Sequence, residues 1–257
     1  MGEFLTIDDR GPVRWVVMSN PGRRNAVPRG GWEELAAAFY DFETSDARVL
    51  VLTGADGDFC SGAELDPAMA ADSAAVNVGF MAGPNAAATA LHRLSKPTIA
   101  AVDGVAVGGG MNLALGCDLV VCTGRARFSE IFVRRGLTLD VGGSWLLPRI
   151  VGLARAREIA LTGRIVEAGE ALAIGMVVEV VAPARLEARV TELAEELARG
   201  APLSHRFIKR ALDRSATMSF EQALAFEEQA QAILLGSEDL REAVQAFADK
   251  REPDFRG

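Results

Sequence analysis

Histidine and cysteine are scarce in this chain, and their scarcity excludes several chemistries at the outset. Its 257 residues include two histidines, His92 and His205. They lie far apart, so neither a zinc motif nor a histidine-based triad is supported. Each reads as a surface or capping residue. The three cysteines, Cys60, Cys117 and Cys122, are odd in number, sit in apolar runs and form no Cys-x-x-Cys pair. Reduced, buried thiols in a cytosolic protein are expected, and no metal site. Positive charge is in deficit: a net charge of −8 gives no support to a nucleic-acid partner and favours solubility. The most apolar stretch, residues 97–121, is interrupted by Asp103, Asn112 and Asp118, so no membrane span is expected. The opening MGEFLTIDDRG carries acids where a signal peptide has bases and an apolar run, and the expected location is cytoplasmic. Nucleotide and hydrolase signatures are also missing. Leu113 stands where the last glycine of Gly-x-Gly-x-x-Gly would be, and neither a Gly-x-x-x-x-Gly-Lys loop nor a Gly-x-Ser-x-Gly elbow occurs.

What is present is apolar substance, with 49% hydrophobic residues, enough for a full core. Residues 4–7 and 13–18, separated by Asp-Arg-Gly-Pro, read as a β-hairpin, and residues 20–26 as a polar loop. Trp32, Leu35, Ala36, Phe39 and Phe42 recur at helical spacing after Pro28. Strands are expected at 48–53, 98–102, 118–122, 126–129 and 177–181. Helices are expected at 85–95, 111–115, 144–150, 153–161 and 167–173, with a helical turn at 130–135 ended by Gly136. Alanine-rich residues 66–84 show no periodicity and read as a mobile loop or frayed helix beside a ligand. From Pro183 onward the pattern is helical: 185–199, 202–214, 220–235 and 238–250. The fold class is therefore α/β followed by a helical region. A boundary falls within 182–200, taken as a core of residues 1–190 and a C-terminal region of residues 191–257. Such a tail exposes apolar faces unless it folds back or meets another subunit, so oligomerisation is expected.

The centre of the sequence is residues 97–121, where a strand delivers Gly108, Gly109 and Gly110 to the start of a helix. Glycines let a backbone approach a ligand closely, and the first helical N–H groups have no partner inside the helix. Tight packing at a strand-to-helix turn is the alternative reading. A second such turn, Asp58-Phe59-Cys60-Ser61-Gly62-Ala63-Glu64-Leu65, follows another strand. These two segments resemble the signature segments of the crotonase superfamily, the enoyl-CoA hydratases and isomerases. Collinear matches extend the resemblance over essentially the whole chain. They include Asn20-Pro21, Arg24-Asn25-Ala26, Gly136-Leu137, Gly142-Gly143 and Leu161-Thr162-Gly163-Arg164, and the tail from Glu242 to Phe255. The resemblance implies a spiral of β-β-α units with a C-terminal helical region, assembled as a homotrimer or a dimer of trimers. It also implies an acyl-CoA thioester substrate, with coenzyme A as part of that substrate and no separate cofactor. The N–H groups of Ala63 and Gly109 would form an oxyanion hole for the thioester carbonyl. Fixed donors aimed at a developing enolate oxygen stabilise it by a few kcal/mol each, and a helix start adds its dipole.

Acid–base groups are where the sequence departs from the hydratases it resembles. Where those carry two glutamates, this chain holds Asn112 and Phe132, neither able to take a proton from water. Asp140 remains, in Gly136-Leu137-Thr138-Leu139-Asp140-Val141-Gly142-Gly143, which resembles the Gly-Leu-x-x-Asp-x-Gly-Gly segment of isomerase-like members. One carboxylate suffices to move a double bond, and an apolar pocket of Leu137, Leu139 and Val141 would raise its pKa from about 3.9. Capping of the helix that begins near Gly143 is the alternative. Glu130, at the start of a helical turn, reads as structural. The substrate-binding set implied by the resemblance is Arg24, Ala26, Ser61, Gly62, Glu64, Leu65, Gly108, Asn112, Phe132, Leu137 and Trp145. Arg23 and Arg24, with Lys96, Lys209 and Lys250, are candidates for the CoA phosphates or plain surface charge. The expected reaction is enoyl-CoA isomerisation through an enolate. The alternatives are hydration of trans-2-enoyl-CoA and a catalytically silent acyl-CoA binder.

Overall fold

The computed structural model describes residues 4–64 and 74–257. Leu65 and residues 66–73, part of the expected mobile loop, lie outside the described residues. Strands β1 (Leu5–Arg10) and β2 (Val13–Met18) form the expected hairpin, with Leu5 opposite Met18. Helix α1 (Gly31–Thr44) follows and buries Trp32, Leu35, Ala36, Phe39 and Phe42, the five residues at helical spacing. Strand β3 (Val49–Gly54) then runs parallel to β2. Helices α2 (Ala74–Phe80) and α3 (Ala82–His92) lead to β4 (Thr98–Val102), whose five residues are all buried. Continuous β-branched and small apolar residues suit a strand covered on both faces.

Beyond β4 come β5 (Val105–Val107), helix α4 (Gly109–Leu115), β6 (Leu119–Thr123) and β7 (Arg127–Ser129). A 3-10 turn, Ile131–Arg135, ends at Gly136 with left-handed φ 70°, as read from the sequence. Helices α5 (Gly143–Val151) and α6 (Leu153–Thr162), strand β8 (Val166–Glu167), helix α7 (Ala168–Ala173) and strand β9 (Glu179–Val181) complete the α/β part. Among the described residues one sheet has the order β1-β2-β3-β4-β6-β9 and a second has β5-β7-β8. Each chain segment leaves the first sheet at β4 or β6 to lay a strand in the second, β5 or β7. The glycine turns stand where the two sheets meet.

The two faces of the first sheet are covered differently. Val16, Leu50, Leu52, Ala100 and Val102 pack with α1, α3 and α4 in the larger apolar cluster. Val13, Trp15, Val49, Val51, Ile99 and Val121 pack against Leu186, Val190, Ala194 and Ala198 of α8 (Leu186–Ala198). Position 190 thus falls inside a helix that covers the sheet. Helices α9 (Pro202–Ser215), α10 (Phe220–Leu234) and α11 (Glu238–Asp249) follow, with Ser219 and Gln222 forming a reciprocal capping box on α10. Leu212, Phe220, Leu235, Val244 and Phe247 of this region are exposed. The three cysteines are free and buried, and burial pushes each thiol up to about 12. Among the described residues no helix is long and apolar enough to cross a membrane.

Candidate active site

Backbone hydrogen bonds sew the two glycine turns together. The N–H groups of Phe59 and Cys60 both donate to Val105 O (3.0 and 2.8 Å), and Val107 N–H donates back to Cys60 O at 2.9 Å. Asp58 Oδ1 accepts from Val105 N–H at 2.8 Å. Gly108 has φ 56° and ψ −129°, a conformation closed to residues with a side chain, and its N–H donates to Ser129 O at 2.8 Å. A side-chain carbon on Gly110 would collide with the Cys60 carbonyl, so the absence of one lets α4 start flush against the first turn. A side-chain carbon on Gly62 would lie 3.5 Å from Gly109 N. The first turn at Gly62 thus runs against the start of α4, with Ala63 next along the chain. Among the described residues neither Ala63 N–H nor Gly109 N–H donates a backbone hydrogen bond.

The polar loop after β2 clips onto the first turn from outside. Val27 N–H donates to Gly62 O, Glu64 N–H to Val27 O, and Ser61 N–H to Arg24 O, while Ser61 Oγ donates to Arg23 O. Asn25, buried, holds this loop: its Nδ2 donates to Ala55 O and Asp58 O, and its Oδ1 accepts from Asn20 N–H. Ala26 is buried in the same clip. Arg23 and Arg24 remain largely exposed, with long contacts to Glu64 (3.5 Å) and Asp58 (3.9 Å).

A pocket of acids faces the seam. A side-chain carbon on Gly109 would lie 3.4 Å from Asp140 Oδ1, 3.0 Å from the Trp32 ring and 3.2 Å from Val141. Asp140 Oδ1 is buried and has no hydrogen-bond partner. Burial alone raises the Asp140 pKa to about 6. Helix α5 is preceded by Gly142 and has no side-chain cap, so Asp140 does not cap it. Asn112, on the first turn of α4, donates from Nδ2 to Asp140 O at 3.0 Å and to Glu130 Oε2 at 3.4 Å. Glu130 is 0% exposed, and burial first, then the charge on Asp140, pushes its pKa up to about 8 against the opposing Asn112 hydrogen bond. Four of the six partnerless buried side-chain polar atoms among the described residues belong here: Trp32 Nε1, Asn112 Oδ1, Glu130 Oε1 and Asp140 Oδ1. Unpaired buried polar atoms and displaced carboxyl pKa values concentrated in one place are what active sites characteristically carry. A cavity of about 520 Å³ adjoins it, walled by Asn85, Thr89, His92, Asn112, Val141 and Trp145. A second, of about 640 Å³, continues beyond Trp145 between α5 and α9.

The enoyl-CoA hydratase/isomerase family model matches residues 9–257. The chain belongs to the enoyl-CoA hydratase/isomerase family. It is 36% identical to the 1,2-epoxyphenylacetyl-CoA isomerase of Escherichia coli K12, over all of both chains. It is 35% identical to the carnitinyl-CoA dehydratase of Salmonella arizonae, also over all of both chains. The crystal structure of an enoyl-CoA hydratase from Bacillus anthracis matches at TM-score 0.94 and 29% identity, covering 99% of each chain. The fold is that of the crotonase superfamily, an α/β core with a C-terminal helical region.

The candidate residues of this family member fall on two sides of the site. Ala63, Gly108, Gly109, Gly62, Ser61, Glu64, Arg24 and Ala26 lie along the two turns and their clip. Asn112, Phe132 and Asp140 lie opposite, with the buried Phe132 ring 3.5 Å from where a side-chain carbon on Gly108 would be. Trp145 is 37% exposed and forms a cavity wall edge-on to His92, beneath the Arg149 guanidinium. Three expectations need correction. Leu137 is 54% exposed, because the 3-10 turn ends at Gly136 and releases it; Val141 is the buried member of the trio expected around Asp140. Lys96 spends its ammonium on Phe42 O and Ser45 O at the C-terminus of α1, and Lys209 pairs with Asp118 at 2.7 Å. Glu130, read as a structural acid at a helix start, makes no cap and sits inside the acid pocket. Its signal was long-range: the β5–β7 register pairs Val107 with Ser129, which carries the next residue beneath the glycine turn.

Proposed function

We propose that this family member is an enoyl-CoA isomerase that shifts an acyl-CoA double bond through an enolate. The carrying observation is that a partnerless carboxyl oxygen of Asp140 and the uncommitted N–H of Gly109 border one small space. The Ala63 and Gly109 amides bind the thioester oxygen, and their dipoles stabilise the negative charge that appears there when a neighbouring C–H is broken. Asp140 takes that proton and returns it two carbons along the chain, so the double bond moves while atoms and charge balance. A base with pKa about 6 is ionised at neutral pH yet strong enough for the transfer. The loop with Arg24 and Ala26 lies along the approach of the CoA portion, and the 520 Å³ cavity takes the acyl group. Coenzyme A serves as part of the substrate, and no further cofactor is invoked. The exposed apolar residues of α9–α11 support association of copies, as a trimer or a dimer of trimers, which light scattering would test.

The deciding experiment follows conjugated-thioester absorbance after 3-enoyl-CoA is added. Asp140→Asn should lower turnover about 10²–10⁴-fold, with acyl-CoA affinity changed less than about threefold. No turnover of 3-enoyl-CoA by the wild type, with brisk hydration of crotonyl-CoA, would make hydration the reaction instead. Tight acyl-CoA binding with neither reaction would make the protein a silent binder.

A further inference from the structure

Glu130 is a buried carboxyl that the proposed isomerisation does not use. It is 0% exposed, it sits one residue past the strand that receives the Gly108 N–H, and its Oε1 has no partner. Its neighbour Asn112 is 1% exposed and also has one partnerless atom, Oδ1. The two side chains already share one contact, Asn112 Nδ2 to Glu130 Oε2 at 3.4 Å. An ionised Glu130 has only acceptors to offer, so Oε1 and Oδ1 would both stay unsatisfied, a costly state for buried polar groups. A proton on Oε1 supplies the missing donor. The acid and the amide would then pair reciprocally, N–H to carbonyl and O–H to carbonyl, and both orphaned atoms would be satisfied at once.

We propose that Glu130 is a positioning residue that works in its neutral form: its acid–amide pair with Asn112 fixes the amide that holds the Asp140 carbonyl, and so aims the Asp140 carboxylate at the substrate. The link is short. The same Asn112 Nδ2 that meets Glu130 donates to Asp140 O at 3.0 Å. Gly143 leaves room for that amide, since a side-chain carbon there would collide with it. Among the described residues Asp140 is the one charged group that bears on Glu130; the basic residues of its own 3-10 turn, Arg134 and Arg135, are exposed, and Arg134 Nε donates to Thr162 O. Desolvation and that like charge both favour the neutral acid, whose pKa lies near 8. Ionisation breaks the pair, releases the amide and adds repulsion against Asp140.

This rests on the isomerase reading for its kinetic test, and the variants separate the two. Glu130→Gln keeps the reciprocal pair, amide to amide, and cannot ionise. Its kcat at pH 7 should stay within about threefold of wild type, while the fall in kcat near pH 8 shown by the wild type disappears. Glu130→Ala breaks the pair, and kcat should fall about tenfold or more with KM nearly unchanged. An inactive Glu130→Gln beside an active wild type would overturn the proposal and make Glu130 a proton-transferring group. An alkaline limb that persists in Glu130→Gln would overturn it as well. If the wild type does not isomerise at all, the isomerase reading fails, and the pair is read instead from urea unfolding at pH 7 and pH 9. Wild type should lose stability over that interval relative to Glu130→Gln; parallel behaviour would overturn the pairing.

Discussion

The glycine turns and the acid pocket opposite them form one site but are built by opposite rules. On the turn side the backbone is paired almost throughout. Phe59, Cys60, Ser61, Glu64, Val107 and Gly108 all donate within the seam or its clip, while Ala63 and the first residues of α4, Gly109 among them, donate no backbone hydrogen bond among the described residues. On the acid side four buried polar atoms lack partners, and Val141 holds a left-handed φ of 48° that β-branched residues avoid. Rigidity on one side and unmet polarity on the other is a sensible division. Donors to an oxyanion must not move as charge develops, whereas proton-moving groups need a displaced pKa, which burial without compensation supplies.

The turn side should break hardest. Gly110→Ala puts a carbon onto the Cys60 carbonyl, and backbone on both sides leaves nothing soft to yield. We expect the proposed isomerase activity to fall on the order of 10³-fold as the Gly109 amide moves, and urea unfolding to show a loss of about 3 kcal/mol or more. Gly124→Ala is the control, since nothing lies within 4 Å of the added carbon. It should leave activity and stability nearly unchanged.

The acid side should reveal itself through pH rather than through steric damage. Glu130 and Asp140 both have folded pKa values above their unfolded ones, so the unfolded state ionises first and stability declines as pH rises. For Glu130 the window runs from its ordinary 4.5 to about 8. Wild type should therefore lose about 3 kcal/mol relative to Glu130→Gln between pH 5 and pH 8. Asp140 adds a smaller decline that ends near its value of about 6. With Asp140 as the proposed base, activity should run the other way at low pH, rising as Asp140 ionises through about 6 and falling again near 8.

The same division explains what could be read from residues alone. Strand β4 and the glycine run were legible because each needs a local composition, β-branched residues for one and freedom of φ for the other. Asp140 was singled out through the resemblance of its segment to the Gly-Leu-x-x-Asp-x-Gly-Gly segment of isomerase-like members, and the burial of its Oδ1 came only with the fold. Glu130 was not, since its placement comes from the pairing of β7 with β5, about twenty residues away in sequence, while its immediate neighbours suggest a helix start. Lys96, left open between a phosphate contact and plain surface charge, shows the same limit: α1 brings its C-terminal carbonyls to that ammonium, and nothing near residue 96 announces it. Leu137 failed on a shorter scale, one residue past the turn that Gly136 ends.

Val141 offers the finest test of the contrast, because there backbone strain and side-chain packing pull in opposite directions. Its side chain is 3% exposed and faces Gly109, so truncation to alanine removes apolar contact at a cost of about 1–2 kcal/mol. Alanine keeps the penalty of the left-handed backbone, about 1–2 kcal/mol for a residue with a side-chain carbon. Glycine removes both the contact and the penalty. At an ordinary φ, alanine is the more stable of the two by up to about 1 kcal/mol. Here the order should invert, with Val141→Gly more stable than Val141→Ala by about 1 kcal/mol in urea unfolding. Activity should rank the other way, because the glycine frees the Asp140–Gly142 segment that the strained valine holds still. Alanine proving the more stable variant would mean that the turn is not strained, and the acid pocket would then rest on its buried polar atoms alone.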